Sequence, residues 1–244
     1  MSQHPELREL INDFVSNLLL HKPVGRGGDS QDNVYLFTQQ FFSSFNPEPE
    51  LNKTLVIAGP SGVGKGTLIR KLRDKLPDKF SLSVSYTTRK PRPGEEHGVH
   101  YFFVSEAEFK SKIGANDFIE YCEVHGNFYG TCKSEVKRIG ELKQVCILEI
   151  DVQGAKKVVE AEVDSHFLFI YPPSIEALKE RLQNRGTETE EEFKLRLRNS
   201  IKEIEDANST NLFTHKIIND DLETAFQELV NLVKSLYPKL EFHE

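Results

Sequence analysis

A glycine-rich run with a single lysine near its end follows the first strongly apolar segment of the chain at 55–58. The run comprises Gly59, Pro60, Ser61, Gly62, Val63, Gly64, Lys65, Gly66 and Thr67. Glycines let backbone N–H groups turn inward around an anion, and a following helix start and the lysine add positive charge. Because a helical pattern follows, the run has the strand–loop–helix context of a nucleotide P-loop, which an exposed glycine turn would not require. We therefore predict a site for nucleotide phosphates here.

One position departs from the general P-loop motif. Gly66 stands where Ser or Thr usually offers a hydroxyl to Mg²⁺, and Thr67 is the next hydroxyl along the chain. Direct metal ligation by Thr67 is therefore an open expectation. The Gly-Lys-Gly-Thr ending is similar to that of nucleoside-monophosphate kinases, so the departure narrows the class of protein.

Two arginines, Arg89 and Arg92, lie in a second, proline-rich run at 89–95. Planar guanidinium groups suit bidentate binding of a phosphate, and prolines restrict the backbone that carries them. A solvated basic loop is the alternative interpretation. Together with an independent P-loop, the pair indicates a second phosphate site and hence two nucleotide substrates.

The elements that must position these residues alternate along the chain from residue 51 onward. Apolar runs predict strands at 55–58, 82–85, 145–150, 167–170 and 216–218. Helical periodicity predicts helices at 64–76, 152–161, 174–184, 190–207 and 222–236. Such alternation is typical of an α/β fold with a mainly parallel sheet. The stretch 90–140 differs, and we expect a small insertion with its own β-structure and a helix that opens with a capping box at Ser105 and Glu108.

Residues 53–238 resemble guanylate kinases along almost their whole length. The resemblance rests on the P-loop, on Ser-x-Thr-Thr-Arg-x-Pro-Arg-x-Gly-Glu at 85–95, and on the runs at 118–120, 129–131, 150–154, 172–174, 185–189 and 218–220. It implies a P-loop sheet flanked by helices, a small mixed β insertion that binds GMP, and a helical lid. The implied parts are a core at 53–89, 142–184 and 208–238, the insertion at 90–141 and the lid at 185–207. The implied reaction is Mg²⁺-dependent transfer of a phosphoryl group from ATP to GMP, with dGMP as a further acceptor.

The resemblance also implies roles for individual residues of the second site. The phosphate of GMP would be held by Arg89, Arg92, Tyr101 and Tyr129, and guanine would be read by Ser85, Glu120, Thr131 and Asp151. Guanine presents two adjacent N–H donors that match a carboxylate, whereas adenine would leave the carboxylate unpaired. This chemistry supports the role of Glu120. Without the resemblance, Tyr101 and Tyr129 would be interpreted as core aromatics.

The resemblance implies a catalytic set of positively charged side chains that neutralise the charge of the transferred phosphoryl group. These are Lys65, Arg89, Arg181, Arg185 and Arg196. Glu149 would hold Mg²⁺ through water, and Asn219 would lie near the adenine of ATP, although a helix-capping role for Asn219 is a close alternative.

Residues 1–48 predict a separate α-helical hairpin. An apolar stripe at i, i+3, i+4, i+7 and i+8 begins at Leu7, and a second stretch after Asp32 places four phenylalanines on one side. The segment resembles the dimerisation and docking domain of the cAMP-dependent kinase regulatory subunit, with a glycine-containing insertion at 25–31 as a departure. The resemblance implies a homodimer that binds an amphipathic partner helix, and possible residence in a cilium or flagellum. Packing of the hairpin on the kinase part is the alternative.

Composition excludes several other classes of protein. The net charge of −7 gives no electrostatic reason to bind nucleic acid, and no run approaches the roughly 20 apolar residues of a membrane helix. Cys122, Cys132 and Cys146 lack metal-binding spacing, and the first twenty residues lack the layout of a signal peptide, so we expect a cytoplasmic protein. Two functional alternatives stay open: a non-catalytic scaffold module of guanylate-kinase fold, and a kinase for another monophosphate such as AMP.

Overall fold

The computed structural model describes residues 11–18, 37–38, 41, 51–124, 126–183 and 189–240. The chain divides into two compact units, Met1–Glu50 and Leu51–Glu244. Within the described residues, no helix has the length and apolar character needed to cross a bilayer.

The first unit contains a helix at residues 11–18. The ring of Phe14 lies 6.3 Å from that of Phe37 and 5.1 Å from that of Phe41, measured between centroids. Ile11 and Val15 on the same helix are 44% and 45% exposed. The remainder of the predicted hairpin lies outside the described residues.

The described residues of the larger unit form nine strands in two sheets. The strands are β1 Thr54–Ala58, β2 Phe80–Leu82, β3 Tyr86–Thr87, β4 Phe102–Phe103, β5 Phe118–Val124, β6 Asn127–Cys132, β7 Val145–Glu149, β8 Ser165–Tyr171 and β9 His215–Ile218. The main sheet is parallel with the order β2-β7-β1-β8-β9, and the small mixed sheet has the order β4-β3-β6-β5. The predicted α/β fold is confirmed.

Seven described helices accompany the strands of the larger unit. They are α1 Lys65–Lys75, α2 Glu106–Gly114, α3 Lys133–Glu141, α4 Val152–Glu160, α5 Ile175–Gln183, α6 Glu190–Asn208 and α7 Leu222–Leu236. Those predicted outside the insertion lie within two residues of their expected bounds. The capping box at Ser105 and Glu108, which opens α2, is also confirmed.

The central strand β1 is buried on both faces, as expected of a parallel strand between helical layers. Leu55 and Ile57 pack in the cluster that includes α1 and α7. Val56 and Ala58 pack in the opposite cluster, which includes residues of α3, α4 and α6. Side chains alternate across a strand, so this one segment joins the two halves of the core and fixes the origin of the loop that follows it.

The link between the two sheets corrects two sequence expectations. The second strand was expected at 82–85, whereas β2 ends at Leu82 and 83–85 form a connection. The reason is that the chain changes sheets within this segment. Ser83 N still donates to the carbonyl of Ile147 in the main sheet at 2.9 Å, whereas the carbonyl of Ser85 already accepts from Phe102 N of the small sheet at 2.9 Å. Consequently the small sheet starts at Tyr86, before the expected insertion boundary at residue 90.

A third correction concerns the end of β7. The strand was expected to end at Ile150, but it ends at Glu149. Asp151 instead caps α4, since its carboxylate accepts a hydrogen bond from Gly154 N at 2.7 Å.

Candidate functional site

The glycine loop between β1 and α1 has a backbone that side chains would obstruct. Gly59 has φ 151°, and a Cβ there would lie 2.5 Å from the carbonyl oxygen of Ile170. Gly64 has φ 99°, and a Cβ there would lie 2.5 Å from the side-chain nitrogen of Asn219. Both positions are left-handed or strained for other residues, so glycine is required for this close approach.

Positive charge concentrates where the loop enters α1. Gly64 is the N-cap residue of α1 and offers no side-chain acceptor to the first N–H groups of the helix, and the first turn of α1 carries no acidic residue. The Lys65 ammonium donates to the carbonyls of Gly59 and Pro60, with the second contact at 3.2 Å. A helix N-terminus and a lysine folded over a glycine loop form an anion site of the P-loop type.

Asn219 supports this loop from behind. Its side chain is 5% exposed and donates to the carbonyl of Val63 at 2.7 Å. Arg181 of α5 binds the same segment, because its guanidinium donates to the carbonyls of Asn219 at 2.7 Å and Asp220 at 3.0 Å. The two residues therefore form one buttress for the loop, and their expected contacts with ATP stay predictions.

Glu149 at the end of β7 lies beside the loop. Its carboxylate oxygen is 3.9 Å from the position that a Cβ on Gly66 would take, and its side chain is exposed. Among the described residues, no group of three or more His, Cys, Asp or Glu side chains could hold a metal ion. A single carboxylate next to a phosphate loop fits Mg²⁺, which keeps several waters and takes one or two carboxylates plus phosphate oxygens. Thr67 lies in the first turn of α1, directly after the glycine loop.

The second predicted phosphate site contains an ion pair that the sequence did not indicate. Both terminal nitrogens of Arg89 donate to the carboxylate of Glu95 at 2.9 Å. Glu95 also accepts from the backbone N–H of Arg92 at 2.7 Å. These bonds lower the pKa of Glu95 to about 2, with Arg89 as the main cause. Glu95 therefore holds the arginine loop in shape while it shares the charge of Arg89.

Aromatic rings line the other side of Arg89. Its guanidinium lies 5.4 Å from the ring centre of Tyr101 and 5.8 Å from that of Phe103. The ring centroids of Tyr101 and Tyr129 are 6.1 Å apart, and Tyr129 adds to the effect of Glu95 in raising the pKa of Arg89. Burial raises the pKa of Tyr101, so its hydroxyl remains a donor at neutral pH. The structure thus brings Arg89 and both tyrosines together, with the side chain of Arg92 exposed at the rim.

A buried polar cluster lies next to this pocket. The hydroxyl of Thr131 donates to the carboxylate of Glu120 at 2.9 Å, and the hydroxyl of Ser85 lies 3.4 Å from that of Thr131. Glu120 is 8% exposed, and burial raises its pKa, with the charge of Asp151 adding to the effect. Three of the predicted guanine-reading residues, Ser85, Glu120 and Thr131, therefore lie in contact. The fourth, Asp151, acts on Glu120 electrostatically, and one of its oxygens caps α4.

The two proposed sites are close enough to interact electrostatically. The charge of Glu149, beside the glycine loop, contributes to the raised pKa of Tyr101 in the second pocket. An acid next to the first site is therefore within electrostatic reach of the second. This arrangement suits two anionic ligands that approach each other.

The predicted lid arginines are described only in part. Arg185 lies outside the described residues. Arg196 lies on α6, which starts with a capping box formed by Thr189 and Glu192. The spacing of Arg196, Ser200 and Glu203 places them on one face of this helix, i, i+4 and i+7.

Glu203 is a site residue that the sequence analysis missed. Burial raises its pKa to about 7, and the charges that act on it include Lys65, which lowers the pKa, and Asp151, which raises it. A carboxyl group of α6 therefore lies near the glycine-loop lysine. The only sequence signal for Glu203 was its spacing from Arg196 on the same helix. Glu95 had no such signal, because its pairing with Arg89 depends on the fold of the 89–95 loop.

The parallel sheet and the glycine loop that leads into a helix define the chain as a P-loop nucleotide-binding protein. The protein-family model for guanylate kinase matches residues 51–236. The chain belongs to the guanylate kinase family, which confirms the family expected from the sequence.

Individual relatives agree with this assignment. A guanylate kinase of Clostridium perfringens is 46% identical over 175 residues, which cover 72% of this chain and 79% of the relative. Guanylate kinase 1 of Oryza sativa is 48% identical over 184 residues, which cover 75% of this chain and 48% of the relative. The chain thus spans about half the length of the plant relatives that it matches. The crystal structure of a guanylate kinase from Anaplasma phagocytophilum superimposes with a TM-score of 0.56 at 30% identity, covering 76% of this chain and 86% of the other.

Proposed function

We propose that this chain transfers the γ-phosphoryl group of ATP to GMP, and also to dGMP, giving ADP and the nucleoside diphosphate. One observation carries the proposal: the buried carboxylate of Glu120 is bonded to Thr131 at 2.9 Å, with Ser85 beside it, in the unit that also holds the glycine loop. A buried carboxylate next to two hydroxyls matches the donor edge of guanine and its O6 acceptor.

The glycine loop and Lys65 bind the ATP phosphates in this proposal. The backbone N–H groups at the start of α1 donate hydrogen bonds to the phosphate oxygens, and the Lys65 ammonium moves from the carbonyls of Gly59 and Pro60 to the β and γ phosphates. Asn219 and Arg181 keep the loop in place through Val63 and the 219–220 carbonyls. Asn219 would lie near adenine at the same end of the sheet.

The second pocket holds GMP so that its phosphate faces the ATP phosphates. Arg89 and Arg92, with the hydroxyls of Tyr101 and Tyr129, bind the acceptor phosphate. No catalytic base is needed, because the attacking phosphate oxygen is already ionised at neutral pH. Positioning and charge neutralisation then supply most of the rate acceleration.

Base selectivity follows from the protonation state of Glu120. As a carboxylate, it accepts from guanine N1–H and N2–H, with Asp151 as a second acceptor, while Ser85 and Thr131 face O6. AMP would offer the buried carboxylate no pair of N–H donors from the base, which costs several kcal/mol of binding on general grounds.

Lid arginines complete the charge balance around the transferred group. Arg181, Arg185 and Arg196 are the cations that would neutralise it, and closure of 185–207 over the ligands would exclude water that competes as an acceptor. Mg²⁺ is the expected cofactor, held through water by Glu149, with Thr67 as a second candidate. When bound, it supplies positive charge next to the ATP phosphates.

The test is a coupled assay of ADP release with four mixtures: ATP with GMP, with dGMP, with AMP, and with no acceptor. The proposal expects rapid release with GMP and dGMP and close to background release in the other two. A chain that is inactive with every acceptor but binds peptides would instead be a scaffold module, and preference for AMP would make it a different monophosphate kinase.

For the first unit we propose homodimerisation and docking of an amphipathic partner helix through residues 1–48. The supporting observation is that Ile11 and Val15 are exposed on the helix whose Phe14 packs against Phe37 and Phe41. Exposed apolar side chains one helical turn apart favour burial against another helix. The proposed location is the cytoplasm, with recruitment to a cilium or flagellum if the partner is there.

Sedimentation of the intact chain and of a chain that starts at Asn52 tests the dimer. The proposal expects a dimeric mass for the intact chain alone. Monomeric masses for both would rule the dimer out.

A further inference from the structure

The short link that carries Ser85 is held at its centre by a side chain. Residues 83–85 connect β2 of the main sheet with β3 of the small sheet. Sheet hydrogen bonds fix the two ends, from Ser83 N to Ile147 O at 2.9 Å and from Phe102 N to Ser85 O at 2.9 Å. The N–H of Val84, between them, donates to the carboxylate of Glu135 at 3.2 Å. The backbone that aims Ser85 therefore depends on Glu135.

Glu135 is a buried acid with a dedicated partner. It lies in the first turn of α3 and is 3% exposed. Arg138, one turn later, donates to both carboxylate oxygens at 2.9 and 2.8 Å, while about half of the Arg138 side chain remains exposed. A buried carboxylate without partners is strongly unfavourable, so Arg138 and the N-terminus of α3 make the charge of Glu135 tolerable at this depth.

Apolar residues would fill the position of Glu135 at lower desolvation cost. Ion pairs of this kind are weak evidence for a contribution to stability, because hydrophobic replacements are often neutral or stabilising. What the carboxylate supplies, and an apolar side chain does not, is an acceptor for Val84 N–H. The contact with the link is therefore the property that distinguishes this residue.

The same short stretch of chain carries a guanine-reading residue. Thr131 lies in β6, four residues before Glu135 along the chain, and its hydroxyl donates to the carboxylate of Glu120 at 2.9 Å. Ser85, next to Val84, is 3.4 Å from the hydroxyl of Thr131, which is at the limit of a hydrogen bond. A shift of the link by a fraction of an ångström would change the direction of the Ser85 hydroxyl relative to Thr131.

We propose that Glu135, held by Arg138, is a positioning residue that sets the Ser85 hydroxyl for recognition of guanine O6. The inference rests on the proposed function, because it assumes GMP at the Glu120 cluster. Glu135 touches no substrate and acts through Val84. Its loss would weaken one edge contact of the acceptor base and leave the ATP site unchanged.

The experiment compares GMP with 6-thio-GMP as acceptors, since the analogue keeps the N1–H and N2–H donors but replaces O6 by sulfur, a weak hydrogen-bond acceptor. Wild type, Glu135→Ala and Glu135→Gln are assayed with both acceptors and with varied ATP. Glu141→Ala and Glu141→Gln on the exposed end of α3 are the matched controls. The melting temperature of each variant is recorded.

We expect Glu135→Ala to raise the KM for GMP about tenfold, with a change of less than about twofold in the KM for ATP. The preference of wild type for GMP over 6-thio-GMP should largely disappear in this variant, because the contact with O6 is already lost. In Glu135→Gln, the one remaining oxygen can still accept from both Val84 and Arg138, as Oε1 of Glu135 does, but the charge and the second acceptor that hold Arg138 are lost. We therefore expect about a threefold rise in the KM for GMP and a partly reduced preference. The Glu141 controls should match wild type.

A purely structural role would give a different result. A lower melting temperature with an unchanged ratio of GMP to 6-thio-GMP would overturn the inference. Should Glu135→Ala not fold, the same ratio in folded Glu135→Gln decides, and a wild-type ratio there contradicts the proposal. Lack of GMP phosphorylation by the wild-type chain would instead refute the proposed function itself.

Discussion

The two proposed anion sites of the larger unit are built in opposite ways. The glycine loop binds through backbone N–H groups, one lysine and a helix start, all within nine consecutive residues on the rigid parallel sheet. The arginine pocket is assembled from side chains of the small sheet and of the 89–95 loop, with aromatic rings and an acid as supports. The first site depends on backbone shape, whereas the second depends on side-chain networks.

Each site also balances its cation differently. Lys65 contacts neutral backbone carbonyls, while Arg89 is paired with the full charge of Glu95. Because the pKa of Glu95 is lowered to about 2, this pair persists over the whole neutral range. A phosphate that reaches Arg89 must therefore share it with a carboxylate that accepts two hydrogen bonds from the same guanidinium.

The largest effect is expected from Lys65→Met. This change removes the only full charge of the glycine loop, so kcat should fall about 100- to 1,000-fold, with GMP affinity nearly unchanged. Steady-state kinetics with a GMP-binding titration measure both quantities. Lys75→Met at the exposed end of α1 is the control, and an equal loss in this control or a large loss of GMP affinity would contradict the division into two sites.

The next effect concerns the second site, where Glu120→Gln should lower kcat/KM for GMP about 100-fold and leave ATP binding intact. Gln presents a donor to a guanine edge that also donates. In wild type, the raised pKa of Glu120 means that the KM for GMP should rise as pH falls through that pKa, since only the ionised form accepts both N–H groups. This pH dependence should be absent in the variant.

Glu123→Gln, an exposed position on the same strand, serves as the matched control for Glu120. The assignment fails if both variants behave alike, or if the loss appears in the KM for ATP.

A smaller effect is expected from Asn219, which supports the glycine loop through the carbonyl of Val63. Asn219→Ala leaves the buried carbonyl of Val63 without its donor, which costs about 1–3 kcal/mol, and the melting temperature should fall by several degrees. The KM for ATP should rise a few-fold while the KM for GMP stays constant. Asn208→Ala, which removes an exposed acceptor of Tyr171, should change little, and a similar drop in stability there would remove the special role of Asn219.

The smallest effect is a pH-dependent change of stability at Glu203. Its pKa of about 7 in the folded chain lies above the ordinary 4.5, so the free energy of unfolding decreases as pH rises between these values. Glu203→Gln should therefore melt about 2–4 °C higher than wild type at pH 8 and at nearly the same temperature at pH 5. Thermal unfolding at both pH values, with exposed Glu205→Gln as control, measures this. A constant difference would show that the group does not titrate as described.

The contrast between the two sites also explains what the sequence could predict. The glycine loop was readable because its geometry is local: strand, glycines, lysine and helix follow one another, and Gly59 and Gly64 are where the backbone demands them. Most strand positions along the chain and most helix bounds followed from periodicity for the same reason. Guanylate-kinase resemblance supplied Glu120, Thr131 and Ser85, which lie on different segments.

Contacts between distant segments could not be derived in this way. The pairing of Arg89 with Glu95 required the turn of the 89–95 loop, and the proximity of Glu203 to Lys65 required the packing of α6. The strand expected at 82–85 was wrong because an apolar alternation does not reveal that a chain leaves one sheet and enters another within three residues. The contact of Glu135 with Val84 joins two segments that each connect one sheet with the other, since Val84 lies between β2 and β3 and Glu135 lies between β6 and β7. Such a contact between distant segments has no local signal in the sequence.

The most direct test of the two-site account is a crystal structure of the chain with ADP, Mg²⁺ and GMP. The account predicts the ADP phosphates in the glycine loop within hydrogen-bond distance of Lys65, and the GMP phosphate against Arg89 and Arg92 with guanine at Glu120. GMP bound at any other place, with the Glu120 cluster unchanged, would contradict it.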